Sequence, residues 1–283
     1  MKRFPCTERE TRPECNRTGF ALGAVKPLKI PAPRTAIVVG RRANIVARML
    51  EANGFRITSN RPQLVVTFGG DGTILHSERL YPGVPKLCLR NRNACFKCTR
   101  TKGSKNGGKK SRRMMCIKCG EAAIKKIAAS KTIRVKLERK LEATARTKDR
   151  RDNNPPLAKM LALNEAQVRN KSPLHALRGT VETGGKRIAF IGDGVIVATP
   201  YGATGYFRAA CGKTFKRGLG VAFNNPTQRL KPLLLKENEA VRITVTRRNG
   251  VFACDNNPAT ATLAEGSTVT VRNGNRFAKF VVA

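Results

Sequence analysis

The sequence predicts an α/β amino-terminal domain with a parallel sheet, followed by a β-rich, β-sandwich-like carboxyl-terminal domain. Three observations carry this expectation. The first is an apolar strand, Leu64 to Phe68, that runs straight into Gly69-Gly70-Asp71-Gly72-Thr73. The second is the order strand, helix, strand ahead of that turn, the grammar of an open parallel sheet whose ligands sit outside the carboxyl ends of the strands. The third is a change of hydrophobic period near residue 131, from 3.6 towards 2.

In chain order, residues 1–34 carry five prolines among basic residues and read as a flexible or loosely docked extension. Thr35 to Gly40 is a short buried strand. Ala43 to Asn53 places Ile45, Val46, Met49 and Leu50 on one helical face, and Gly54 stops that helix. Leu64 to Phe68 leads into the glycine turn, Ile74 to Leu80 opens a helix, and Lys86 to Arg90 is a further strand. Residues 121–129 look helical. The α/β domain is therefore placed at 35–130, with a cysteine insert at 95–119, and the β-rich domain at 131–283. Within the latter, Thr132 to Leu137, Val181 to Ile191, Val195 to Ala198, Val241 to Thr246 and Ser267 to Val271 are strand-like, and Asn249-Gly250 and Asn273-Gly274 read as hairpin turns.

Composition bounds the partners. The 283 residues hold 56 Lys+Arg against 18 Asp+Glu, a formal charge of +38, which attracts polyanions such as nucleic acid, polyphosphate or anionic substrates. An apolar run of about 18 residues, as a membrane-spanning helix needs, is absent from the sequence. Met1 to Glu8 lacks the apolar centre of a signal peptide. Nine cysteines, an odd number with two C-x2-C pairs among them, suit a reducing compartment, so the expected location is cytoplasmic.

Cys95-x2-Cys98 and Cys116-x2-Cys119 have the spacing of a four-thiolate zinc site. Four protein ligands leave no open position, so this Zn2+ is expected to be structural. Arg92, Lys97, Lys118 and the basic loop 99–113 offset the charge of the thiolates.

The GGDGT turn is the centre of the functional reading. Its glycines allow positive φ and close approach of a ligand, and successive bare N–H groups bind anions. The helix that follows offers its N-terminus to phosphate. A lone acid in a phosphate cradle fits phosphoryl transfer, with Asp71 as metal or proton acceptor. Asn164-Glu165 adds an amide and a carboxylate. Gly192-Asp193-Gly194 leads through a strand into Tyr201-Gly202-Ala203-Thr204-Gly205-Tyr206, a second glycine turn with hydroxyls and phenols.

With these elements in order, the chain resembles the NAD kinases, which phosphorylate the adenosine ribose 2′-hydroxyl of NAD. The matching stretches are GGDGT at 69–73, ALNE at 162–165, GDGVIVATPYGATGY at 192–206, AFNNPTQRLKPLLL at 222–235 and CDNNP at 254–258. The resemblance implies a two-domain fold with the nucleotide in the cleft. It also implies ATP or polyphosphate as donor with Mg2+, and homo-oligomers whose neighbouring subunits help form the site. By that resemblance Asp71 is the catalytic acid, and Gly69, Gly70, Gly72 and Thr73 contact phosphates. Asn164 and Glu165 bind the NAD amide and ribose, Asp193 is a further binding acid, and Thr204, Gly205, Tyr206, Phe207, Arg208 and Ala209 form the adenine-side loop. His76, His175 and Asn257 stand where the family places polar contacts. The chain departs from the family at Ala203, where a serine is usual, and after the third strand. There Asn91 to Cys95 and the cysteine insert replace a glycine-rich loop.

The alternative reading is a basic zinc-ribbon nucleic-acid-binding protein on a degenerate kinase scaffold. It is not favoured, because the aromatics, 5% of residues, are not interleaved with the basic residues as stacking platforms require. A lipid kinase shares GGDGT but leaves the ALNE and GDG elements unexplained.

Overall fold

The computed structural model describes residues 27–92, 114–148 and 155–282. Strands β1 (Leu28–Pro31) and β2 (Thr35–Gly40) precede helix α1 (Ala43–Glu51). Then come β3 (Arg56–Ile57), β4 (Leu64–Phe68), α2 (Asp71–Leu80), β5 (Lys86–Leu89) and α3 (Ile117–Ala129). The β-rich part comprises β6 (Thr132–Arg146), β7 (Ala158–Ala162), β8 (Glu165–Asn170), β9 (Leu177–Thr183), β10 (Lys186–Gly192) and β11 (Gly194–Ala198). A 3-10 turn (Gly202–Thr204) and α4 (Tyr206–Cys211) follow, then β12 (Leu219–Asn224), β13 (Leu233–Leu235), β14 (Ala240–Arg247), β15 (Gly250–Cys254), β16 (Ala261–Leu263) and β17 (Thr268–Val281).

The amino-terminal strands pair in parallel, β3-β2-β4-β5, and read as continuous apolar runs because both faces are covered. Leu64, Val66, Leu87 and Leu89 share a core with Val46 and Leu50 of α1 and with Ala123, Ile124 and Ile127 of α3. On β5 the intervening Cys88 belongs to another cluster, with Ile74 and Leu75 of α2 and with Leu163 and Tyr201. Helix α2 thus lies between the parallel sheet and the β-rich part.

The β-rich part is a sandwich. One sheet has the order β13-β12-β11-β8-β15-β16, all antiparallel. The other contains β10, β9, β14, β17, β6 and β7. Alternate residues of the two meet in one core, for example Val241, Ile243 and Val245 against Val195, Val197, Val221 and Phe252. The α/β-plus-sandwich expectation therefore describes the molecule.

Two local expectations are corrected. Asn249-Gly250 does not close a hairpin: β14 and β15 lie in different sheets, so this turn carries the chain across the sandwich. Asn273-Gly274 sits inside β17, where the register shifts against β6 between Asn273 and Phe277. The tight hairpin is instead β9–β10, turned by Gly184 and Gly185 with φ of 53° and 73°. Two more findings concern boundaries. Leu28–Pro31, inside the proline-containing stretch 1–34, pair antiparallel with the start of β6. The long strands β6 and β17, both beyond residue 131 in sequence, join the sandwich to the amino-terminal half in one continuous sheet: the start of β6 pairs with β1, and Phe280 of β17 pairs in parallel with Lys86 of β5.

Candidate active site

The GGDGT turn stands at the carboxyl end of β4, where the open-sheet rule places ligands. Gly70 is the N-cap of α2, in extended backbone with φ −97° and ψ −168°, and Asp71 is the first helical residue, exposed. The expected positive φ is not found at Gly69, Gly70 or Gly72. What requires glycine is space. A Cβ on Gly69 would run into the Thr73 side chain, so Thr73 covers Gly69. Gly70 and Gly72 present open backbone. Arg90, at the end of β5 and half-buried, brings a guanidinium nitrogen to 3.9 Å from the place of a Gly70 Cβ. Arg90 was not among the residues the sequence singled out, although its position after the third strand was.

The Asn164-Glu165 corner joins β7 to β8. Its backbone is held by one carboxylate: Asp255 accepts the amides of Leu163 at 2.7 Å, Asn164 at 2.8 Å and Glu165 at 3.1 Å. The Asn164 carbonyl accepts the Thr199 amide at 2.8 Å, and the Thr199 hydroxyl donates to Leu163 O at 2.6 Å. Gly202 packs so closely on Asn164 backbone that no side chain fits there. The corner and the 199–206 loop are therefore one unit. Asn164 Oδ1 and Glu165 Oε2 are buried without a hydrogen-bond partner among the described residues, and Asn164 Nδ2 and Glu165 Oε2 lie 3.7 and 3.9 Å from the place of a Gly205 Cβ. Buried polar atoms of this kind call for a partner.

Electrostatics explains why Glu165 is unusual. Burial raises its carboxyl to about 8, with the neighbouring Asp255 adding to the effect. Burial also pushes Asp255 up, but the three amides and the Lys140 ammonium pull it back. Lys140 in turn pairs with Glu78 of α2, which also pairs with Lys86 of β5. Burial lowers the Lys86 ammonium, partly offset by Glu78. Lys86 additionally donates to the carbonyls of Tyr81 at 3.0 Å and Val84 at 2.8 Å. Two ammonium groups thus serve Glu78 and Asp255, which leaves Glu165 to keep its proton.

The two halves meet at Asn256. Its side-chain amide donates to Gly72 O at 2.9 Å, and its carbonyl and Oδ1 accept Arg79 at 3.1 and 3.2 Å. Asp71, Asn164, Glu165 and Gly205 are thereby brought to one cleft. His76 lies on the same helix, with Nδ1 2.8 Å from the Arg79 guanidinium. Asn257 is occupied locally, accepting the Ala259 amide at 3.1 Å.

Other sequence-selected residues lie elsewhere. Phe207 is fully buried against Ala198, Ala222 and Phe215, so it supports the loop from behind, while Thr204, Arg208 and Ala209 are exposed and Tyr206 is half-buried under the Arg169 guanidinium. Ala203 is buried. Asp193 and His175 are not part of this cleft in one chain. β8 and β11 carry Glu165 and Ala198 at one end, and Arg169 and Gly194 at the other. Asp193 accepts Asn225 at that far end, about 13 Å along the strand, and the His175 carbonyl accepts Asn170 there. Cys116 is buried at the N-cap of α3 and Cys119 is half-buried, whereas Cys95 and Cys98 lie outside the described residues. Among the described residues no group of three His, Cys, Asp or Glu gathers as metal ligands. Nor is any helix among them long and apolar enough to cross a membrane.

Residues 163–283 match the family model described as the ATP-NAD kinase C-terminal domain. This segment is therefore similar to the carboxyl-terminal domain of ATP-NAD kinases. It contains the Asn164-Glu165 corner, the 199–206 loop and the Asp255-Asn256 pair. Among curated relatives, the NAD kinase of Sulfurisphaera tokodaii is 25% identical over 202 residues, covering 70% of each chain. Among solved structures, yeast NADH kinase complexed with NADH superposes with a TM-score of 0.71 at 17% identity, covering 89% of this chain and 84% of that one. The NAD kinase of Archaeoglobus fulgidus in complex with ATP gives 0.63 at 17% identity, covering 88% and 93%. Both structures share the two-domain fold.

Proposed function

We propose that the chain is an NAD kinase, transferring a phosphoryl group from ATP or polyphosphate to the adenosine ribose 2′-hydroxyl of NAD. One observation carries the reading: Asp71, at the N-terminus of a helix beside bare glycine backbone, is tied through Asn256 and Asp255 to a corner whose Asn164 and Glu165 hold unpartnered polar atoms. The helix N-terminus, the glycine amides and the Arg90 guanidinium offer donor phosphates a positive wall. The corner offers hydrogen bonds to amide and ribose groups of the acceptor, with protonated Glu165 as a donor. Asp71 accepts the proton of the 2′-hydroxyl as its oxygen bonds to phosphorus and the bridging phosphorus–oxygen bond of the donor breaks.

Mg2+ fits this site as an ion that arrives with the phosphates. Asp71 is the carboxylate at the turn that would hold it, consistent with the ion's habit of using few protein ligands; it supplies charge neutralisation when bound. Zn2+ on Cys95, Cys98, Cys116 and Cys119 remains part of the reading, and metal analysis should find about one zinc per chain. A homo-oligomer is also part of it. Asp193 and His175, distant from the cleft within one chain, suit a site completed by a second copy. The reducing cytoplasm suits thiolate ligands.

Purified protein with NAD, Mg2+ and either ATP or polyphosphate should form NADP. Asp71→Asn should lower the rate about a hundredfold to ten-thousandfold while leaving NAD binding in place. A folded wild-type protein that makes no NADP with any donor overturns the reading.

A further inference from the structure

The cleft is assembled from segments far apart in sequence, and one dipeptide touches both sides of it. Asp255 holds the backbone of Leu163, Asn164 and Glu165. The next residue, Asn256, reaches the other way, to Gly72 and Arg79 of α2. Gly72, His76 and Arg79 are spaced i, i+4, i+7, so they form one stripe along the helix. Asn256 bonds the first and last of these, two helical turns apart, and His76 between them contacts the Arg79 guanidinium. Two anchor points on one stripe oppose rotation of α2 about its own axis as well as sliding along it. Asp71 is the residue that precedes Gly72 and is exposed, and among the described residues no hydrogen bond or ion pair holds its carboxylate in place. Its direction is therefore set by the rotation of α2. Asp255 itself has φ 49°, a left-handed conformation that non-glycine residues seldom adopt without compensation, here at the turn between the two sets of contacts. The Asn256 amide nitrogen sits 3.7 Å from where a Gly72 Cβ would be, ordinary contact distance, so it packs on this turn without crowding it.

We infer that Asn256, with Arg79, is a positioning residue that aims the Asp71 carboxylate at the acceptor held by the Asn164-Glu165 corner. This rests on the proposed kinase reaction. Its mechanical content does not. Asn256 touches no reacting atom; it acts through the orientation of α2. Losing it should therefore affect the reaction step more than the binding of NAD, since a misplacement of about 1 Å at a reacting group can cost a hundredfold in rate.

The test compares Asn256→Ala, Asn256→Asp, Arg79→Ala and the Asn256→Ala/Arg79→Ala pair in the intact chain. Asn256→Ala is expected to lower kcat by about ten- to a hundredfold with the KM for NAD changed less than about threefold. Asn256→Asp keeps an acceptor for Arg79 but loses the donor to Gly72, and should fall between wild type and Asn256→Ala. The double variant should lose little more than Asn256→Ala, because both changes release the same anchor. Hydrogen exchange supplies a readout that does not need activity: amides of residues 72–75 should exchange faster in Asn256→Ala, with those of β11 unchanged. A kcat within twofold of wild type together with unchanged exchange at 72–75 overturns the proposal. So does a uniform rise in exchange across α2 and β11, which would mark Asn256 as a residue of general stability. If the wild-type chain makes no NADP, the kinase reading fails while the exchange comparison still decides whether Asn256 anchors α2.

Discussion

Glu165 is an acid buried beside a second acid, and the lysines nearby are already committed. Its carboxyl stays protonated to about 8 in the folded chain, against an ordinary value of 4.5. Between those values the folded state binds one more proton than the unfolded one, so this group's contribution to stability is complete at low pH and is lost as pH rises towards 8. Glu165→Gln should accordingly raise the melting temperature at pH 8 and leave it nearly unchanged at pH 4. Even half of that shift corresponds to about 2 kcal/mol. A destabilised variant at pH 8 would show that Glu165 is charged and paired. Asp71, Asn164 and Glu165 stand out in the sequence as candidates because short motifs carry them. Asp255, Asn256 and Arg90 were not singled out as site residues, although Asp255 and Asn256 lie within the CDNNP stretch. Their roles arise from hydrogen bonds across 91 and 184 residues and from closeness to a glycine on another element. Asn257, chosen from the same stretch, proves to bond its own turn. Phe207 failed for a related reason, since nothing in its neighbours' chemistry says which side of α4 faces the core.

Helix α2 has two apolar residues on the core side, Ile74 and Leu75, and a buried Glu78 that joins lysines from two strands. In the sequence Glu78 looks like any helical surface charge. Its burial follows from a third layer, the β-rich part, closing over a helix that would otherwise face water. Removing one member of a buried ion cluster leaves an uncompensated charge, so Glu78→Ala should destabilise the chain by about 3–5 kcal/mol, measurable by denaturant unfolding. Replacing Glu78, Lys86 and Lys140 together by Met, Leu and Met should cost much less. The elements with strong periodicity, β4, α1, β11 and β14, were readable from sequence. The hairpin signals were not, because Asn-Gly favours a tight turn wherever it falls, and only strand pairing decides whether that turn returns the chain to the same sheet. At β14–β15 it changes sheets instead.

At the scale of the molecule, the expected boundary near residue 131 marks a change of pattern more than a break in structure. β6 begins beside β1 and ends in the sandwich, and β17 runs back along it for eleven paired residues, one of which, Phe280, also pairs with β5. Two halves that share their longest strands should unfold together. Probes placed in α1 and in β12 should report one coincident denaturant transition, and two separated transitions would refute this coupling. The charge of +38 acts over the same scale. It should speed encounter with anionic phosphates, an effect that weakens as salt rises.

The strand β17 also sets a long loop to close. Its pairing with β5, which leads to Arg90 beside the glycine turn, joins Phe280 to Lys86 across most of the described chain. Contacts between segments so far apart in sequence must meet the cost of loop closure before they reward it, so this edge of the parallel sheet, and with it the wall beside the helix bearing Asp71, should be among the last parts of the fold to set.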